Sequence, residues 1–513
     1  WKTEQVIQLH GGKKMSTIFA ALRAFFVRVT RQRKAKVLAV GLLAAASVVY
    51  GIGMAHGSKA GKLDATFGTV RKEVPDGVVH LGNGYGRAMA VQADGKIVVA
   101  GQSTRTGDHG KNIMVARFNT NGTLDTRFGV GADGGPANGM VSLDLGNHSE
   151  AANALKIQAD GKIVVAGTRT ASDGTSTIIL VRLNSSGTLD TRFGADDADG
   201  TPKGVVGIEL GRAGDGLAKA LALQADGKIV VAGTQSGIEP RPFKNAMLAR
   251  VNSDGTPDAS FGAGKTDGTP DGVVRASLGA DDDEANGIAL QSDGKILLVG
   301  TTLGAQEATH AVAARFNTDG TPDVRFGAGS SGQPAGVVSA SLSSGNHVAK
   351  AIAVQPDGKI LLTGMTTAND GTTNVVVVRL NTYGRLDSAF GTGDADGTPA
   401  GVVGISLGNG NDAAYDLAVQ ADGKIVVAGT TLTRDGSSHA VVARLNTNGS
   451  LDSSFGARIA DGKPDGVVGI YMREGDDMAR ALALQADGKI LVAGDNTNRG
   501  FKTMWVARLL SNG

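Results

Sequence analysis

Apolar and polar positions alternate along this chain in a pattern that returns every 60 to 70 residues. Its clearest copy is ALALQADGKIVVAGT at residues 220–234: an apolar run, a polar Asp-Gly, then a second apolar run. Counting this one, seven copies occur, centred on the Asp-Gly-Lys triplets that begin at Asp94, Asp160, Asp226, Asp293, Asp357, Asp422 and Asp487. Asp-Gly between apolar runs is a strong hairpin signal, because a type I′ turn needs positive φ at both central residues, which Asp tolerates and Gly permits. Each copy therefore predicts strand, two-residue turn, strand. The second strand reads KIVVAG, KILLVG, KILLTG or KILVAG, continuous rather than alternating, which suits a strand covered on both faces.

A second signature, Leu/Pro-Asp-x-x-Phe-Gly, marks the same period with Phe at 67, 128, 193, 261, 326, 390 and 455. Between two such marks the pattern gives a strand like GVVGISLG, the hairpin, and a strand like AVVARLN, four antiparallel strands in all. Seven four-stranded units of about 65 residues predict an all-β fold, a seven-bladed β-propeller over residues 61–513, in preference to a parallel β-helix or a linear array. The last unit stops at MWVARLLSNG, and the continuation it lacks stands at the front as AGKLDATFG. The ring is expected to close with segments from both termini.

The recurring LDxxFG, ALALQxDGKIVVAG and VARLNxDG segments, from about Lys62 onward, resemble the delta-60 repeat, a bacterial repeat associated with a β-propeller fold. That resemblance implies the fold and export, and supplies no catalytic residues.

Composition adds three constraints. Gly at 77 of 513 with 4% aromatics fits many short strands and tight turns, and the absence of Cys excludes disulfides and thiolate metal sites. Residues 1–60 hold ten basic side chains against one acid, leaving 41 basic and 48 acidic in the remainder. This mildly acidic body argues against nucleic acid as a partner. The basic leader runs into VLAVGLLAAASVVYGIGMA (residues 37–55), the layout of a helical signal peptide or a membrane anchor. An exported protein is expected, secreted, periplasmic or on the cell surface, monomeric, and touching membrane only through this leader.

Features repeated in every unit are expected to serve the fold. The seven arginines from Arg117 to Arg508 near the fourth-strand ends should pair with Asp of LDxxFG or with acidic turn residues, a ligand-binding ring of arginines being the alternative, and the seven Phe should wedge between blades. Variable loops on a rigid scaffold are where binding resides. The loops joining strands one to two and three to four share a face and hold the candidate ligand-binding residues: His109, Arg241, Phe243, Asp282, Glu284, His310, His439, Arg499 and Trp505. Asp196, Asp197 and Asp199, with Asp394 and Asp396, are candidate calcium ligands, and Asx turns explain Asp-rich loops equally. No other cofactor is indicated, and no HExxH, Gly-x-Ser-x-Gly or phosphate loop is present. Three readings stand: a binding scaffold for an extracellular protein or polysaccharide, an envelope hydrolase or lyase with its site at the axial channel, and a calcium-stabilised structural protein.

Overall fold

A computed structural model describes residues 62–511, apart from the short stretches 69–75, 104–110, 130–136, 147, 195–201, 212–213, 239–242, 263–268, 280, 305–307, 329–332, 341–344, 369, 392–398, 408–409, 434–435, 457–465 and 473. The chain divides into Trp1–Lys59 and Ala60–Gly513. The first unit, with the leader and its expected helix, lies outside the described residues. Among the described residues every regular element is a strand, and no helix is long and apolar enough to cross a membrane.

Five sheets have four antiparallel strands, and a sixth of seven strands is two blades that share the strand Val78–Val91. That strand breaks register near its middle: residues 84–91 pair with Ile97–Ser103, whereas its first residues pair with Phe501–Leu509. Seven blades result. Blade 6 is representative, with Asp412–Val419 innermost, then Ile425–Leu432, Ser438–Leu445 and Val467–Ile470. The innermost strand of each blade contacts that of the next, and the seventh contacts the first, so the blades close into a ring.

Two sequence expectations need correction. The GVVGISLG-type strand belongs to the blade before its own repeat: Val402–Ile405 pairs with Thr373–Leu380, outermost in blade 5. Repeat and blade are thus out of phase by one strand, because the polar LDxxFG loop is long enough to return the chain antiparallel beside the strand it has just left. The hairpin is also not type I′. Gly95 N donates to Gln92 O, Gln92 N donates to Lys96 O, and Gly95 alone has positive φ, at 80°. This is a type I turn followed by a left-handed Gly, a three-residue loop in which Asp94 Oδ1 accepts Lys96 N at 3.1 Å. The Asp serves as an acceptor for the turn rather than as a left-handed residue.

The two-sided burial inferred for KIVVAG holds. In blade 1, Val98 and Ala100 pack toward blade 2, whereas Ile97 and Val99 pack toward blade 7, and all four are completely buried. Seven apolar clusters fill the seven blade interfaces, each holding one Phe of the Phe-Gly signature.

Each interface carries a repeated clamp on the face that bears the hairpin turns. In blade 2, Arg182 Nε donates to Asp190 Oδ2 at 2.8 Å, its Nη1 reaches Ser253 O in blade 3, and its guanidinium lies 4.3 Å from the centroid of Phe193. The same trio recurs as Arg117, Asp125 and Phe128, and onward around the ring. Backbone bonds run alongside, as from Gly129 N to Ser186 O at 2.8 Å. The seventh clamp is assembled from both ends of the chain: Arg508 Nη2 lies 2.9 Å from Asp64 Oδ2 and Nη1 reaches Thr120 O in blade 1. Val79 pairs with Val506, and Leu63 bridges Leu509. The expected closure from both termini is therefore present, with residues 78–81 as the outermost strand of blade 7.

Removing one partner of a buried ion pair strands the other charge, at about 3–5 kcal/mol. Arg508→Met should therefore lower the urea midpoint sharply. Arg127→Ala, whose side chain is 82% exposed, should leave it within about 0.5 kcal/mol. Equal effects from the two substitutions would reject the clamp.

Candidate functional site

The innermost strand of each blade has one edge paired and the other facing the axis. All seven carry a bulge at the same place, where one residue is left without a register partner: Arg87, Asn153, Lys219, Asn286, Lys350, Tyr415 and Arg480. A bulge re-aims the extra side chain and sharpens local twist. Its imprint is the final Gly of KIVVAG, directly across the pair. A Cβ at Gly101 would stand 1.7 Å from Tyr85 O and one at Gly364 1.8 Å from Val348 O, with comparable clashes in the other blades. The glycine is required because the bulge pushes backbone against it.

Two pairs of these side chains meet across blade boundaries, Arg87 with Asn153 and Tyr415 with Arg480, and the two asparagines reach the backbone of the next blade. Arg87 Nη1 donates to Asn153 Oδ1 at 2.5 Å, and Asn153 Nδ2 donates to Ala218 O on the free inner edge of blade 3 at 2.9 Å. Asn286 Nδ2 does the same to Ala349 O in blade 5 at 2.9 Å. Arg480 pairs with the buried Asp495 and sits 6.0 Å from the Tyr415 ring centroid. Burial lowers the Lys350 ammonium, and the charge of Lys219 lowers it further, although a whole blade separates the two strands. Burial likewise lowers Arg87, with Arg480 adding to it. Four cations thus face a common axial space, accompanied by two amides and one phenol.

The candidates from the variable loops are placed differently. Asp282 Oδ1 accepts Lys244 N at 2.9 Å, and Lys244 Nζ lies 2.5 Å from Glu284 Oε1. The insert before blade 3's third strand and the acidic run opening blade 4 are thus brought together, beside Phe243, which is 40% exposed. The Asp282 contact recurs as Ser176 N to Asp215 at 2.8 Å, Thr373 N to Asn411 at 3.0 Å and Ser438 N to Asp476 at 2.8 Å. Asp282 therefore belongs to a second ring of inter-blade clasps, on the loop face. His310 opens the third strand of blade 4, His439 stacks edge-on to Tyr471 at 4.9 Å in blade 6, and Arg499 occupies a turn of blade 7 with φ of 49°. These three stand in three different blades. Trp505 is fully buried within the cluster between blades 6 and 7 and presents nothing to the loop face, because its position in the third strand points into the inter-blade layer. His109 and Arg241 lie outside the described residues, as do the calcium candidates Asp196, Asp197, Asp199, Asp394 and Asp396. No cluster of three metal-ligating groups occurs among the described residues. The described Asp-rich turns are served by their own chain: Asp254 Oδ1 accepts Thr256 N at 2.9 Å, and Asp258 is held by Arg250 and Lys228.

Seven stretches, 92–128, 158–193, 224–261, 291–326, 355–390, 420–455 and 485–513, match the family model described as a domain of unknown function (DUF5122) beta-propeller. The chain is a β-propeller repeat protein. Comparison with curated protein sequences finds no match. Among solved structures, the propeller is similar to a protein of unknown function from Dyadobacter fermentans, at 9% identity over 88% of this chain and 99% of that one, with a TM-score of 0.39. It is similar also to an ulvan lyase, at 13% identity, 84% and 96% coverage and a TM-score of 0.42. For an α-L-arabinanase from Penicillium chrysogenum the values are 11%, 76%, 99% and 0.41. No residue role is carried across from them.

Two cavities bear on the propeller's site. One of about 530 Å³ on the turn face is lined by Gln92, Gln485, Lys489 and Arg508, positions present in every blade, and so belongs to the architecture. The other, of about 300 Å³, lies where blades 1, 2 and 3 meet near the axis and includes Arg87, Lys111, Glu150 and Lys219. Glu150 is 1% exposed, and its burial, with Asp144 adding and Arg169 opposing, pushes its carboxyl up to about 7. Burial also pushes Asp416 up to about 6, against hydrogen bonds from the Leu482 and Leu417 amides and the Lys156 charge from across the axis. Carboxyls that hold their protons more tightly when folded make stability fall as pH rises from the unfolded toward the folded value. The propeller's melting temperature should therefore decline between about pH 4 and 7. Glu150→Gln with Asp416→Asn should flatten that decline; a wild-type melting temperature that rises over this range would contradict the assignment.

Proposed function

We propose that this propeller is an exported binding scaffold that holds an acidic polymer, polysaccharide or protein, at the loop-face mouth of its axial channel. The observation that carries the reading is the bulge ring, whose Arg87, Lys219, Lys350 and Arg480 face one space from four blades. In that ring Arg480 is ion-paired with Asp495, whereas Lys219 and Lys350 feel the carboxylate of Glu284 only at a distance. Partly desolvated cations act on an anion in a lower dielectric than water, so each is worth more there than on open surface. The chain's mildly acidic body and the small size of this basic patch favour a flexible chain carrying spaced carboxylates over a nucleic-acid duplex. Export rests on the basic leader and apolar run of residues 1–60.

A hydrolase or lyase acting on the same polymer is the second reading, favoured by Glu150, whose raised carboxyl shares a cavity with two of the ring cations. It predicts shortened polymer after incubation, which the scaffold reading does not.

Binding of the full-length protein to immobilised polygalacturonate and poly-L-glutamate, read by biolayer interferometry at low and raised salt, tests the proposal. Affinity should fall with salt, and Lys219→Ala with Lys350→Ala should weaken it about tenfold or more, equivalent to ~1.4 kcal/mol. The exposed turn-face variant Arg127→Ala should bind as wild type. Loss of binding in Arg127→Ala alone would move the site to the other face.

A further inference from the structure

On the inner strands, the position three residues before the bulge is acidic in four blades, as Glu150, Asp283, Asp412 and Asp477. Three of these fasten the preceding loop: Asp283 Oδ2 accepts Leu278 N at 2.8 Å, Asp412 Oδ2 accepts Leu407 N at 2.6 Å, and Asp477 Oδ2 accepts Met472 N at 2.9 Å. Glu150 is one methylene longer: the amides of Leu145 and of Glu150 itself lie near enough to oppose the rise of its carboxyl, but neither stands in hydrogen-bond geometry to it. Both its carboxylate oxygens are buried without a hydrogen-bond partner. Leaving a buried carboxyl so costs free energy that a ligand donating two hydrogen bonds would recover.

The surroundings say what kind of ligand. Glu150 lines the cavity of about 300 Å³ with Arg87, Lys111, Lys219, Asn153 and Thr168. Asn153 is already committed, accepting from Arg87 and donating to Ala218 O at 2.9 Å. What remains open is a carboxyl that wants donors, beside cations that want a carboxylate. The volume is at the lower end of the roughly 300–1,000 Å³ usual for small-molecule sites, room for one ring rather than a length of chain.

We propose that this cavity is the subsite for a single uronic acid residue of an acidic polysaccharide, with Arg87 and Lys219 on its carboxylate and Glu150 accepting two neighbouring ring hydroxyls. A carboxylate can take two parallel donors from one face, and a vicinal diol supplies them at matching separation. An acidic peptide offers the carboxylate but no such pair of hydroxyls. The inference rests on the axial mouth being the ligand site, and it narrows that ligand to sugar.

The test compares full-length wild type, Glu150→Leu and Glu150→Gln for binding to polygalacturonate and to poly-L-glutamate of equal charge number. Wild type should prefer the polysaccharide by tenfold or more. Glu150→Leu should erase that preference while leaving the poly-L-glutamate affinity within about twofold, and Glu150→Gln, which keeps one acceptor, should fall between. If the leucine variant does not fold, a drop in preference of threefold or more in the glutamine variant carries the claim. Equal wild-type affinity for the two polymers would overturn the subsite and leave the axial anion site standing. A preference that survives both substitutions would equally overturn the role of Glu150. Failure of both polymers to bind wild type would remove the axial site and the subsite together.

Discussion

The guanidinium that crosses from one blade to the next is the contact on which the arrangement turns. Each blade's arginine is fixed by the aspartate of its own LDxxFG loop, lies over the phenylalanine three residues beyond that aspartate, and spends a remaining donor on a backbone carbonyl of the following blade. The arginine and aspartate are almost fully buried, at 6% and 4% exposure in blade 2. A buried charge is tolerable only when paired and fully hydrogen-bonded, so the guanidinium is satisfied only if the next blade sits in one place. Apolar packing between blades supplies adhesion without direction. The clamp supplies the direction.

Because each blade is apolar on both faces, no blade can end the series without exposing one of them. The chain meets this by withholding from blade 7 both its outer strand and its clamp aspartate and providing them from the front, as residues 78–81 and Asp64. The shared strand then turns inward through its bulge and begins blade 1, so one segment belongs to both sides of the seam. Rigidity obtained this way positions the inner strands, and with them the seven bulges.

Much of this was legible in residues alone. Repetition of LDxxFG and DGK gave the blade number, the continuous KIVVAG run gave two-sided burial, and the truncated last repeat announced the closure. Recurrence of Arg117 through Arg508 in every repeat marks them as structural, with the LDxxFG aspartate or an acidic turn residue as partner, and the structure selects the aspartate. Other features depend on register, which a hydrophobic pattern does not carry. The outermost strand was grouped with its own repeat because sequence order does not say which neighbour a strand pairs with. Trp505 looked like a binding residue because a single aromatic near a variable loop invites that reading, whereas the register of its strand turns it into the core. The axial ring was missed although a signal existed: in GRAMA, ANALK, AKALA, ANGIA, AKAIA, AYDLA and ARALA a mostly polar residue of changing identity stands at one fixed place among small ones. Only the bulge, a product of pairing, converts that position into a set of converging side chains.

The ring is sealed by the chain's own front strand with the same firmness as any internal interface. Hydrogen–deuterium exchange on the full-length protein tests it most directly, by comparing the amides of residues 78–81 with those of Val402–Ile405 and Val467–Ile470, the corresponding strands of blades 5 and 6. Protection of 78–81 should match those two within a factor of a few. Exchange of 78–81 on the timescale of exposed loops, with the other two still protected, would show the seam open and contradict it.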